Sequence, residues 1–482
     1  MTDKSQDDKV HSPALSTLHR YVWALTGLAL IVCQVALAWI SKDFGYERPL
    51  SQQPVVTMVG IELATCGVFL IALWETVRKQ SDNGAVLSWI VCVGVFMRGA
   101  MFVSVPMLED DHYRYLWDGG VLANGVSPYV YSPRDVMNAS EIVPSTLVQL
   151  AHESGDVISR VSFPELRTIY PPVAQAFFAL AYMLHPWSQL ALRVVLSFFD
   201  GVTLVILLFV LRSLNLPRSL VAVYWWNPLI LKEIFNTTHL DVISLPFALA
   251  AILLSTKSRH VCAAVTLAFA VAAKLWPLVF LPTILRPLWR EPRRLLVTCV
   301  VFGLVSGILF LPVFMAGLDT SSGFVAYGRF WEMNDAAYRL ISWGVEFVLA
   351  AFSMNTAWTQ ILTRLVTAVT VALWAILPAR AVPTDSRQVW DRCLLIVAAV
   401  FLLSPTGFPW YFSWVVPFLA INPRPSLLLM NCMLFLYYLV YYYRACGTPQ
   451  TFDNVIIWAE YLPFWGLAAW EWVKSFRRAA TQ

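Results

Sequence analysis

Charge is what this sequence has least of. Asp, Glu, Lys and Arg make up 13% of its 482 residues, against roughly 25% in an ordinary soluble domain. That shortage excludes a soluble globular protein. With 58% hydrophobic residues and a mean hydropathy of +0.63, it points to a polytopic membrane protein. Cysteine spacings that suit a metal are also missing. Cys33, Cys66, Cys92, Cys262, Cys299, Cys393 and Cys432 lie inside apolar runs, and Cys446 stands alone, so they read as small buried hydrophobes. No small-residue cleavage site follows the first apolar run, which is therefore expected to stay as a span. No repeat, heptad or low-complexity tract divides the chain, so it reads as one integral domain over 1–482. The long apolar runs exclude a spanning β-barrel, whose strands alternate.

What is present is a set of runs near the roughly 20 apolar residues needed to cross a bilayer: Tyr21–Ile40, Val55–Val77, Ala85–Met107, Leu190–Leu211, Leu295–Met315 and Val455–Val473. Lys and Arg concentrate in cytoplasmic loops. Placing both termini inside puts most basic residues there, from Lys4 and Lys9 through Arg212, Arg218, Arg293 and Arg294 to Arg477 and Arg478. Basic residues used in this way leave no case for nucleic-acid binding. The same count puts residues 108–188 outside, as the longest polar excursion. Its later part, TIYPPVAQAFFALAYMLHPW, is expected as an interfacial helix. Beyond it the apolar pieces are short and interrupted by Pro228, Pro246, Pro277 and Pro282. Broken helices at membrane depth are tolerated where they line a cavity or pack on protein. The expected fold is all-α, with about 12–14 transmembrane segments, some short and broken.

Chemistry concentrates where the chain leaves the third run, in EDDHYRYLWDGG. Glu109, Asp110 and Asp111 are consecutive acids whose pKa values burial and mutual repulsion push apart, which suits one of them to general-base work. The alternative is a helix N-cap. Arg114, three residues after Asp111, can pair with it or hold a phosphate, or bridge to Asp118 as scaffolding. Tyr113, Tyr115 and Trp117 can stack on a sugar or isoprenoid, or belong to the interfacial aromatic belt. His239 and Asp241 sit in NTTHLD. With Asp111 they form a candidate divalent-cation set, or they hydrogen bond a phosphate or each other. Lys274 lies in AVAAKLWPLVF, where an unpaired ammonium is costly and a phosphate is an apt partner; snorkelling to the surface is the alternative. Lys232 and Glu233 either satisfy each other or join a cavity wall. Arg98 and Arg193 have no place in this reading. Trp410 and Tyr411 form a corner expected at the outer interface.

Seven short motifs occur in one order: acids followed by Tyr-Arg-Tyr-x-Trp-Asp-Gly (Asp110 to Gly119), Gly-x-x-Pro-Tyr (Gly125 to Tyr129), Tyr-Pro-Pro (Tyr170 to Pro172), Trp-Asn-Pro (Trp226 to Pro228), His-x-Asp (His239 to Asp241), Lys-x-x-Pro (Lys274 to Pro277), and Ser-Pro then Pro-Trp-Tyr (Ser404 to Tyr411). In this order the chain resembles the GT-C class of membrane glycosyltransferases. It is most similar to bacterial polyprenyl-phosphate-mannose-type enzymes related to the catalytic subunit of the first GPI mannosyltransferase. The resemblance implies a hexose, mannose above all, moved with inversion from a polyprenyl-monophosphate donor to a glycan or glycolipid acceptor. The site would face the periplasm or exterior from a bacterial inner membrane. An Asp of the first outer loop would be the base, with Tyr113, Arg114, His239, Asp241, Lys274, Trp410 and Tyr411 around the donor. Related eukaryotic enzymes space their acids Asp-x-Asp; here they are adjacent and His112 follows, so Asp110 and Asp111 both stand as candidates. A transporter or flippase of polyprenyl-linked saccharides would also have broken helices near the midplane, and a noncatalytic subunit could keep the fold. The outer loop and its acids favour an enzyme.

Overall fold

The computed structural model describes residues 13–79, 83–381 and 383–480. Lys4 and Lys9, expected on the cytoplasmic side, lie outside the described residues. Regular structure in the described residues is helical, apart from two isolated bridges, Arg167 to Ser322 and Met333 to Thr406. The protein is all-α and polytopic. Among the described residues, seven helices are long and apolar enough to cross a membrane: Tyr21–Phe44, Val55–Arg78, Gly84–Phe102, Gln189–Ser213, Pro292–Ala316, Thr356–Arg380 and Pro425–Ala445. The pair Pro228–Asn236 and Leu240–Thr256, bent by 103°, makes an eighth if counted as one span. Shorter apolar helices occupy Pro172–Leu184, His260–Ala273 and Trp276–Leu288. The run expected at Val455–Val473 differs. A π-helical turn at Phe452–Ile456 leads into Ile457–Ala480. Glu460, Glu471 and Lys474 make that helix too polar to rank among the candidate spans.

The broken pair follows from its sequence. Pro228 starts a new turn, where its missing N–H costs nothing, and the Asn227 side chain caps that turn by accepting from Leu229 N at 2.9 Å. The backbone then widens into a π turn at Leu231–Asn236, passes Thr238 in the left-handed region at φ 68°, and resumes at Leu240. Arg193 pins the break. From the Gln189–Ser213 helix it donates to the carbonyls of Phe102, Ser104 and Asn236 at 2.6, 2.9 and 2.5 Å. Arg98 pairs with Asp200 at 2.6 Å, donates to the Trp225 carbonyl at 2.7 Å and lies 3.4 Å over the Trp225 ring. These two cations, which hydropathy leaves unplaced, tie three helices around the break.

Asn236 carries the tie to the acids. Its side chain accepts from Met107 N at 3.0 Å and donates to Ser104 Oγ and to the Val105 carbonyl, both at 2.7 Å. The strand of chain leading to Glu109 is thereby fixed against the broken span. The acid-bearing helix, Asp111–Ala123, then lies against Pro172–Leu184. Gly119 permits the approach: a Cβ there would fall 2.5 Å from the Phe178 carbonyl oxygen, closer than packed atoms tolerate. A second, smaller core built on Leu116, Trp117, Leu147, Leu150 and Ile158 stiffens the rest of the segment.

Candidate functional site

The three consecutive acids take three different partners. Glu109 accepts from Tyr441 Oη at 2.9 Å. Asp110 stands at the N-cap position without capping; its carboxylate accepts from Ser162 Oγ at 2.7 Å. Asp111 accepts from Tyr115 Oη at 3.3 Å and keeps 34% of its side chain exposed. Burial raises Asp111 to about 6, helped by repulsion from Asp110 and offset by Lys274 and the hydroxyls of Tyr170 and Tyr115. Burial also raises Asp110, against the Ser162 hydrogen bond, and holds Glu109 well above the usual carboxylate range. His112, buried near Arg193 and Arg160, is pushed down to about 3 and stays neutral.

The broken span supplies the opposite wall. His239 is fully buried and stacks on Trp410, ring centroids 4.1 Å apart. Its Nδ1 lies 3.7 Å from Asp111 Oδ2 and its Nε2 lies 3.5 Å from Glu233 Oε2. Asp241, also fully buried, accepts from Trp414 Nε1 at 2.6 Å and faces Lys274 Nζ at 3.1 Å. Lys274 occupies the extended residue that ends His260–Ala273 and lies 4.8 Å from the centre of the Tyr411 ring. Tyr411 Oη meets Tyr327 Oη at 2.9 Å, and Tyr327 meets Thr406 Oγ1 at 2.6 Å.

Asp111, His239, Asp241, Lys274, Trp410 and Tyr411 are thus brought together, with Asp110 at their edge. Tyr113 and Arg114 are not. The Tyr113 hydroxyl accepts from Arg160 at 3.1 Å and its ring packs edge-on against Tyr46. Arg114 donates to the carbonyls of Phe163 and Leu166 at 3.0 Å and lies 3.9 Å from Asp118. It bridges towards Asp118, and its Nη2 is engaged by loop carbonyls. The corner at Trp410 and Tyr411, expected among interfacial aromatics, is buried inside the protein. The residues of the candidate cation set have other partners. Among the described residues no group of three or more His, Cys, Asp or Glu side chains is disposed to hold a metal ion. Asp241 is already engaged by Lys274 and Trp414.

Sequence reasoning did not single out Trp414, Tyr327, Tyr438 or Tyr441. Trp414 alone had a signal, four residues after Trp410 in the same aromatic corner. An open concavity of about 700 Å³, lined by Glu141, His152 and Glu153, shares no residue with this group.

Comparison with known proteins places the chain among mannosyltransferases. The chain is 22% identical over 421 residues to "Alpha-(1->6)-mannopyranosyltransferase A" of Mycobacterium tuberculosis, covering 84% of this chain and 74% of that protein. No solved structure matches. A family model described as "Alpha-(1->6)-mannopyranosyltransferase, N-terminal domain" matches residues 20–290, which contain Asp111, His239, Asp241 and Lys274. This chain belongs to that family, the MptA_B family of membrane mannosyltransferases.

Proposed function

We propose that the protein transfers mannose, with inversion, from polyprenyl-monophosphate mannose to a glycan or glycolipid acceptor on the non-cytoplasmic face of a bacterial inner membrane. Asp111 is the base, within a single integral domain. One observation carries the reading: a half-buried carboxylate, Asp111, stands beside His239 within reach of the Lys274 charge, and Lys274 pairs with buried Asp241 under Tyr411 and Trp414. Asp111 is favoured over Asp110 because Ser162 already holds Asp110. Its pKa of about 6 also lies near working pH, where a base combines an ionised population with proton affinity.

As the acceptor oxygen attacks the anomeric carbon, its proton passes to Asp111. The electron pair of the breaking C–O bond leaves with the lipid phosphate, which gains charge. Lys274 has three N–H donors, keeps 16% of its side chain exposed, and is held in place by Asp241. A fixed cation at that point stabilises the phosphate most when the bond is breaking. The test is purified protein in nanodiscs with a mannose oligosaccharide acceptor and radiolabelled mannose on either polyprenyl phosphate or a nucleoside diphosphate. Transfer from the lipid-linked donor alone is expected. Transfer from the nucleotide donor alone overturns the reading.

A further inference from the structure

Both nitrogens of His239 are buried without a hydrogen-bond partner, an expensive state for an imidazole. The chain goes to some length to maintain it. The π turn at Leu231–Asn236 carries Glu233, and such turns gather at functional sites. Thr238 takes a strained left-handed conformation just before the imidazole. Arg193 fixes Asn236 and Thr238, and His239 N donates to the Glu233 carbonyl at 2.9 Å. Glu233 is fully buried, and its carboxylate accepts from Tyr438 Oη at 2.5 Å and from Thr237 Oγ1 at 3.3 Å. The result is an imidazole between two carboxylates, at 3.7 and 3.5 Å. Each gap is ~0.5 to 1 Å longer than a formed hydrogen bond, the kind of distance that tightens when a catalytic complex assembles. Trp410 covers the ring and His239 has no exposed surface. Whatever it does for the reaction passes through Asp111.

We propose that His239 and Glu233 are positioning residues that form a proton relay behind Asp111, an inference that rests on the base assigned above. Asp111 takes the acceptor proton and returns it from Oδ2 to His239 Nδ1, while His239 Nε2 gives its proton to Glu233. Asp111 is left ionised, the imidazole neutral in its other tautomer, and Glu233 protonated. When product leaves and water enters, the proton retraces the path through Asp111 to solvent and the first tautomer is restored. No oxidant, metal or further reactant takes part. The charged and titratable groups facing His239 are Asp111, Glu233, Lys232, Lys274 and His112; those facing Glu233 also include Asp241 and Tyr438. Lys232 donates to the Met107 carbonyl at 3.2 Å and lies 4.3 Å over the Tyr438 ring, and its charge faces Glu233 together with Glu109 and Glu62.

The experiment is steady-state transfer from polyprenyl-phosphate mannose in water and in deuterium oxide, by the full-length protein and its Glu233→Gln, Glu233→Asp and Tyr438→Phe variants. Gln cannot accept the proton, so kcat is expected to fall about 10-fold or more, with donor KM unchanged and a larger solvent isotope effect. Asp is expected to restore most of the rate, and Tyr438→Phe to show a smaller loss of the same kind. The Tyr438 variant, which removes one oxygen, decides the matter if Glu233→Gln does not fold. Wild-type kcat in Glu233→Gln and Tyr438→Phe, or a loss in them without any change in isotope effect, overturns the relay. A wild-type protein inactive with this donor instead overturns the donor reading, which separates the two failures.

Discussion

Two parts of the molecule end in opposite surroundings, and the more apolar of them is the less buried. In the helices Pro292–Ala316 and Thr356–Arg380, 11% and 17% of the most apolar stretch is buried by protein. From 219 to 246, every residue is buried. The first kind of helix satisfies its own backbone and presents side chains as apolar as lipid, so it needs no protein partner. The second is broken by Pro228, a π turn and Thr238, and it carries Lys232, Glu233, His239 and Asp241. Each exposed backbone group or charge there must find a protein partner or remain costly. Burial in this protein follows irregularity and charge more than hydropathy.

The comparison breaks most sharply at Arg98. Replacing it with Ala leaves Asp200 buried without its ion pair, a change that costs about 3 to 5 kcal/mol. Arg98→Ala is expected to lower the unfolding temperature in detergent steeply or to prevent accumulation. Arg98→Lys is expected to recover little, because a lysine cannot keep both the two-nitrogen contact with Asp200 and the stack on Trp225. A middle effect is expected at Lys274. Lys274→Ala should weaken polyprenyl-phosphate binding about 10-fold, some 1.4 kcal/mol, read by titrating the lipid, with acceptor KM little changed. The smallest effect belongs to the lipid-facing helices. Ile308 is 70% exposed, and Ile308→Ala should change stability by less than about 0.5 kcal/mol. A large loss there would mean that a partner covers that face.

The same contrast explains what could be read in advance. Five of the six long runs correspond to spanning helices because a regular apolar helix is a local property, set by composition over some 20 residues. The proline breaks were legible for the same reason, since Pro228 removes a backbone donor wherever it stands. The residues that meet at the site were partly legible through their motifs, but their pairings were not. Nothing within a few residues of Lys274 shows that Asp241 holds it, or that Trp414 completes Asp241's hydrogen bonds. Arg114 looked like a phosphate ligand from its spacing, yet the carbonyls that engage it come from residues 163 and 166, some 50 positions away. Tyr438 and Tyr441 lie in a tyrosine-rich run with no periodic signal, and only the packed structure puts their hydroxyls on Glu233 and Glu109. The pairings of Asp111, His239 and Asp241 were hidden for the same reason: side-chain type was legible and partner choice was not.

The base assignment is the central claim, and the pH profile from 5 to 8 of kcat and kcat/KM for Asp110→Asn and Asp111→Asn against wild type tests it most directly. A base works only when unprotonated. With burial holding Asp111 in the free protein at about 6, wild-type kcat/KM should be level above that pH and fall about tenfold per unit well below it. Asp111→Asn is expected to lose a factor of about 10² to 10⁴ and with it the acidic limb, while Asp110→Asn keeps the limb and most of the rate. An Asp111→Asn protein with wild-type kcat and an unchanged acidic limb would contradict the account.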